Sequence, residues 1–213
     1  AGLTVATKVG RRADPHTASA YTLEQLRAWV DRCRRNLGVE MLDLVQLHCP
    51  PTPVFADDEV FDALATLVEA GHIAAYGVSV ETVDEALQAI SRPGVASVQI
   101  ILNVFRRKPL ERVLPAAVTA GVGIIARVPL ASGLLSGSYD ERTTFAPDDH
   151  RNYNRSGAAF DVGETFSGVP YDVGVQAARE VAAHTPTGAT TAQLALRWVL
   201  DQPGVTAVIP GAR

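Results

Sequence analysis

Six short apolar runs, Leu3–Val9, Leu42–Leu47, Ile73–Val80, Ala96–Leu102, Val122–Val128 and Val205–Ile209, alternate with segments whose apolar residues recur at helical spacing. No other feature narrows the fold so far. Strands that take turns with helices are joined by crossovers, which makes the sheet parallel. The runs are apolar almost throughout instead of alternating in and out, the pattern of strands covered by helices on one face and by other side chains on the second. A barrel or a doubly wound sheet fits this pattern better than a sandwich does.

The intervening segments carry their own start and stop signals. Thr22 with Gln25 forms a capping-box pattern ahead of the stripe Leu23, Leu26, Val30, Cys33 and Leu37, which Gly38 ends. Asp57 or Asp58 caps a second helix, with Val60, Phe61, Leu64, Leu67 and Val68 inward and Gly71 as its stop. Thr82 caps a third carrying Val83, Ala86, Leu87 and Ile90. Pro109 suits the first turn of a fourth that ends at Gly121, and Thr190 or Thr191 opens the last, with Leu194, Ala195, Trp198 and Val199 inward. Residues 132–170 break the rhythm, being rich in Gly, Ser, Asp and Asn with Phe145, Tyr153, Phe160 and Phe166 among them. A connection of that length is a functional lid or a loosely ordered insertion, and the aromatics favour a lid that packs over something. With no repeat and no interdomain linker, residues 1–213 read as a single domain with a long loop at 132–170.

A composition of 47% hydrophobic and 20% charged residues with net charge −4 is that of a globular protein without a basic face for nucleic acid. Arg32, Arg34 and Arg35 fit the solvated face of a helix. The two cysteines, Cys33 in a helical pattern and Cys49 at a strand end, do not suit a disulfide framework. No apolar run approaches the roughly 18 residues that would cross a bilayer, and the start has no basic leader, so the expected location is the cytoplasm with both thiols free.

No G-x-G-x-x-G, P-loop, G-x-S-x-G, H-E-x-x-H or paired-cysteine pattern occurs, and the five histidines are dispersed, so no metal is expected. What remains is a set of polar residues that end or interrupt apolar strands. Lys8 and His48 stand at the exits of the first two, and in a parallel barrel the carboxyl ends of strands converge on the active face. A lysine and a histidine meeting there suggest proton-transfer chemistry. Apolar neighbours predict at least partial burial for Lys8, and a Schiff-base role stays open for it; for His48 the competing reading is a core histidine bonded to backbone. Ser79 and Gln99, inside apolar strands, need partners because unpaired burial costs about 1–3 kcal/mol. A bound amide or a neighbouring side chain would serve.

Ala6-Thr7-Lys8-Val9-Gly10, Leu47-His48-Cys49-Pro50, Gly77-Val78-Ser79, Val98-Gln99, the stretch from Val128 to Gly137, and Ile209-Pro210-Gly211-Ala212-Arg213 occur in an order that resembles the aldo-keto reductase superfamily essentially end to end. The resemblance implies a (β/α)8 TIM-type barrel that holds NAD(P)H across its carboxyl face and reduces aldehydes or ketones without metal. In that family Asp, Tyr, Lys and His do the chemistry; Lys8 matches the lysine and His48 the histidine. Ser79 and Gln99 match the residues that bind the nicotinamide carboxamide. Val80 stands where the family commonly has asparagine, which leaves one carboxamide contact without its usual side chain. Arg127 occupies the position of a stacking aromatic; a guanidinium also stacks, though beside a cationic ring it is awkward, and a phosphate or the substrate is its other implied target. Leu130, Ser132 and Gly133 resemble the pyrophosphate-binding stretch, and Gly211, Ala212 and Arg213 the start of the adenosine-phosphate site. NADP is the implied cofactor, with NAD the alternative, and a small carbonyl compound the implied partner.

The family's catalytic Asp and Tyr lie upstream of the lysine. This chain therefore matches strands three to eight, about six of eight, and is expected to be part of a longer polypeptide; taken alone it is expected to turn over little or nothing. Two other readings stay open. One is a barrel lyase or aldolase acting through Lys8, and the other a truncated homologue that binds nucleotide or a protein without turnover.

Overall fold

The computed structural model describes residues 2–211. All six apolar runs form strands: β1 Ala6–Val9, β2 Leu44–His48, β3 Tyr76–Ser79, β4 Val95–Ile101, β5 Gly123–Arg127 and β6 Val205–Ile209. The helices are α1 Leu23–Leu37, α2 Asp58–Glu69, α3 Val83–Ile90, α4 Pro109–Ala120, α5 His150–Tyr153, α6 Tyr171–Ala183 and α7 Thr191–Leu200. Their ends follow the sequence signals. Thr22 Oγ1 accepts from Gln25 N at 3.3 Å, Asp57 caps α2, and Thr82 with Glu85 and Thr190 with Gln193 form reciprocal capping boxes.

Two compact units divide the chain, one of Ala1–Gln99 with Ala116–Gly123 and the other of Ile100–Pro115 with Ile124–Arg213. In the first, β1–β2, β2–β3 and β3–β4 pair in parallel. Because side chains alternate along a strand, Val9, Leu47, Val78 and Val98, which share one register row, point to one face, and all four are buried. Leu26 and Val30 of α1 and Leu64 and Leu67 of α2 are fully buried too. Each such Leu or Val contributes about 1.5–3 kcal/mol by leaving water. β1 begins at Ala6, not Leu3: the ladder with β2 starts at Ala6↔Leu44, and Leu3 is 93% exposed.

In the second unit, β5 pairs with β6 in parallel, and the long connection is ordered by its aromatics. Phe166 is buried and its ring centroid lies 5.7 Å from Phe145 and 5.0 Å from Tyr171. It belongs to a cluster with Leu134, Leu135, Val175, Ala178 and Ala195. The segment thus packs down on its own unit through short turns at Ala131–Ser136, Val162–Glu164 and Phe166–Gly168. Helix α6 is absent from the sequence expectations. It contains Gly174, a poor helix former, because a Cβ there would sit 2.6 Å from Leu134 Cδ1. No helix of the described residues is long and apolar enough to cross a membrane.

Candidate active site

In the first unit the strand register gathers the predicted polar residues. His48, Ser79 and Gln99 are direct partners across β2, β3 and β4. One side-chain repeat earlier on the same strands comes the row Lys8, Gln46, Gly77 and Ser97. Residues two apart on a strand share a face, so both rows point the same way, opposite to the valine–leucine layer. Lys8, His48, Ser79 and Gln99 therefore lie on one sheet face toward the carboxyl ends.

Their surroundings differ. Ser79 is 1% exposed and Gln99 3%, while His48 is half-buried. Lys8 is exposed, which corrects the expectation of partial burial: among the described residues β1 has a paired strand on the β2 side only, so its apolar neighbours do not enclose the ammonium. Ser79 Oγ lies 3.6 Å from Cys49 Sγ. Gln99 Nε2 donates to Gln46 Oε1 at 2.9 Å, and Gln46 Nε2 donates to Ser97 Oγ at 3.3 Å. A Cβ on Gly77 would overlap both the hydroxyl and the carbonyl oxygen of Ser97, so only glycine admits this packing. Beyond His48 the chain turns sharply, with Cys49 at φ 47°. That left-handed conformation costs a β-carbon-bearing residue on the order of 1 kcal/mol or more.

Tyr21 is buried near these strand ends, and its hydroxyl pairs with His16 Nε2 at 2.9 Å. Burial holds its pKa well above the usual tyrosine value; the nearby Cys49 adds to this and Arg11 opposes it. Burial, then Arg11, lowers the pKa of His16.

The second unit carries a cavity of about 840 Å³ whose walls include Leu130, Ser132, Gly133, Tyr139, Arg151 and Gly211. Arg127, the last residue of β5, is 7% exposed and ion-pairs with Glu164 from the long connection. Ser132 uses its hydroxyl on that same segment: Oγ donates to Glu164 O at 2.8 Å and accepts from Phe166 N at 3.1 Å. Ala131, Ser132 and Gly133 run consecutively at positive φ, 48°, 57° and 102°. Gly133 N donates to Leu130 O at 2.9 Å, and a Cβ on Gly133 would meet the Tyr139 ring at 2.5 Å. Arg151 Nε donates to Asp149 Oδ1 at 2.9 Å, and its guanidinium stands 4.7 Å from the Phe145 ring centroid. That hydrogen bonding holds the Asp149 carboxyl far below the usual range. Ala212 and Arg213, expected in the adenosine-phosphate site, lie outside the described residues. Among the described residues no group of three His, Cys, Asp or Glu is placed to hold a metal.

Sequence reasoning missed three residues. Gln46 and Ser97 interrupt apolar strands just as Ser79 and Gln99 do, and the same signal would have found them. Asn103, fully buried beyond β4, donates through Nδ2 to Val128 O at 2.8 Å and Ser167 Oγ at 2.7 Å; its Oδ1 accepts from Phe105 N and Arg106 N, both at 2.9 Å. It ties the exit of β5, where Val128 has φ 53°, to the long connection.

Comparison with known proteins matches the model of the aldo/keto reductase family over residues 1–213. The chain is 30% identical over 184 residues to aldo-keto reductase YhdN of Bacillus subtilis, covering 86% of this chain and 53% of that protein. Among solved structures, the glycerol dehydrogenase AKR11B4 from Gluconobacter oxydans is 29% identical with TM-score 0.71, over 88% of this chain and 55% of that one. The holo form of aldo-keto reductase AKR11C1 from Bacillus halodurans, 24% identical, shares the fold with TM-score 0.72 over 99% of this chain and 63% of that one. The chain spans about half the length of the curated relatives it matches.

Proposed function

The chain belongs to the aldo/keto reductase family, and from that premise we propose that it carries the lysine, the histidine and the cofactor-holding side chains of an oxidoreductase that reduces aldehydes or ketones with NADP(H) or NAD(H). Its alternating strands and helices are those of a (β/α)8 barrel, six strands of which lie in these residues. The supporting observation is the row His48, Ser79, Gln99 on adjacent strands, with Lys8 one repeat behind on the same face.

The residues present fit a nicotinamide. A hydroxyl that can donate and an amide oxygen that can accept, on Ser79 and Gln99, match the two ends of a primary carboxamide. The dinucleotide, when bound, supplies the hydride. Ser79 and Gln99 then fix which ring face is presented, and Val80 offers no side-chain polar group. His48 donates to the carbonyl oxygen of the substrate and opposes its developing negative charge. The Lys8 ammonium favours the ionised form of a proton-donating tyrosine and so makes it a stronger acid. Tyr21 does not fit that donor, because its hydroxyl is bonded to His16 and burial raises its pKa. A Schiff-base role for Lys8 would instead show as borohydride trapping of a carbonyl compound on its Nζ.

In the second unit, Leu130, Gly133 and Gly211 line a cavity that suits phosphate groups; Ala212 and Arg213 are assigned to the adenosine-phosphate site by the resemblance alone. Ser132 serves there through its main chain, since its hydroxyl proton is engaged with Glu164. Arg127 forms a neutral pair with Glu164, so its charge does not argue against the stacking position that the resemblance implies. The substrate is a small carbonyl compound, and the residues act as one domain of a cytoplasmic enzyme.

The test is loss of reduced-nicotinamide absorbance with NADPH and benzaldehyde in a polypeptide that joins these residues to the upstream Asp and Tyr, as wild type and with Lys8→Met or His48→Gln. The expected result is carbonyl-dependent oxidation reduced about 100-fold or more by either substitution. No carbonyl-dependent oxidation by the wild type, or wild-type rates in both variants, would overturn the reading.

A further inference from the structure

The polar face of the first unit holds a side chain that the proposed chemistry does not use. Gln46 is fully buried at the centre of β2, flanked by Gly77 and one repeat behind His48. A primary amide in such a place is unfavourable unless its groups are paired, and an apolar residue would fill β2 with less penalty. Its partners show what it does. Gln46 Oε1 accepts from Gln99 Nε2 at 2.9 Å, and Gln46 Nε2 donates to Ser97 Oγ at 3.3 Å. The three side chains form a relay that runs one way, from Gln99 through Gln46 to Ser97. Gly77 leaves the space it needs, since any Cβ there would collide with Ser97.

A glutamine amide presents nitrogen or oxygen to a ligand according to which end its neighbours hold. With Nε2 of Gln99 committed to Gln46, none of the hydrogen bonds among the described residues uses its Oε1, which is the end left for a ligand. We propose that Gln46 is a positioning residue: it locks the Gln99 amide so that the site presents an acceptor beside the Ser79 hydroxyl and selects a ligand bearing an N–H donor. This rests on the nicotinamide reading above and adds to it a residue that touches neither cofactor nor substrate, and a direction for the Gln99 contact.

The experiment compares binding of NADP+ with that of its 3-acetylpyridine analogue, in which a methyl group replaces the carboxamide NH2. Titrations use the wild type, Gln46→Leu and Gln46→Glu, with folding of each checked by its urea midpoint. The wild type is expected to bind NADP+ about tenfold more tightly, the equivalent of one hydrogen bond. In Gln46→Leu the Gln99 amide is released and can turn its NH2 toward the acetyl oxygen, so the preference collapses toward equality. In Gln46→Glu an acceptor for Gln99 Nε2 is kept, Ser97 can donate to the new carboxyl, and the preference returns. A purely structural Gln46 would weaken both ligands equally in the leucine variant and leave their ratio unchanged, which overturns the inference. A wild type that does not discriminate overturns it as well, because Gln99 would then present nitrogen. A wild type that binds neither dinucleotide fails the nicotinamide reading itself, and the inference falls with it.

Discussion

Replacing Asn103 by alanine removes four hydrogen bonds from a fully buried position. At about 1 kcal/mol each, their sum would be near 4 kcal/mol. Two of the partners keep a second contact: Arg106 N also donates to Asn103 O at 3.1 Å, and Val128 O also accepts from Ala131 N at 3.1 Å. Phe105 N and the Ser167 hydroxyl lose more, so the expected loss is about 2–3 kcal/mol. With a urea dependence of about 2 kcal/mol per molar, the midpoint should fall by roughly 1–1.5 M. Asn103→Asp keeps an acceptor for the two main-chain N–H groups but sets an oxygen against Val128 O, so it should lose at least as much. Amide hydrogen exchange supplies the local readout: protection around Phe166 and Gly168 should drop before protection in α7 does. A midpoint within about 0.2 M of the wild type, with unchanged exchange in the long connection, would refute the idea that this amide anchors it.

Gly77→Ala should destabilise by about 1–3 kcal/mol, measured by thermal unfolding; Ser97→Ala in the same chain should not restore stability, since the carbonyl of Ser97 still blocks the new methyl group. Glu164→Gln removes the carboxylate that ion-pairs with Arg127, whose side chain is 9% exposed, and should lower stability by about 3 kcal/mol. Arg127→Met added to it should recover part of that loss. The Asp149 carboxyl has a pKa depressed by Arg151, so its contribution is complete above the ordinary aspartate range and is lost as the pH falls below it. Exchange protection of α5 should therefore decline on acidification below about pH 4, and in Asp149→Asn the decline should be absent.

The architecture was legible in the sequence because its signals are local. Apolar runs located all six strands, and Thr82, Thr190 and Asp57 fixed helix starts through their own side chains. The strand-exit polar residues were legible for a related reason: in a parallel sheet, period two and strand order together place His48, Ser79 and Gln99 in one row. What escaped depends on contacts distant in sequence. Gln46 draws meaning from Ser97 and Gln99, more than fifty residues away, and Asn103 from Val128 and Ser167. Helix α6 was hidden by Gly174, a residue chosen for the approach of Leu134 against its own helical propensity. The exposure of Lys8 was misjudged because flanking apolar residues bury a strand only where neighbouring strands enclose it.

The central claim is that the sheet face bearing His48, Ser79 and Gln99 holds a nicotinamide. Its most direct test is calorimetric titration of the protein with NADP+, in the wild type, Ser79→Ala and Gln99→Leu. Saturable binding at one site per chain, weakened about tenfold by each substitution, is the predicted result. Absence of binding in the wild type, or binding that neither substitution changes, would contradict it.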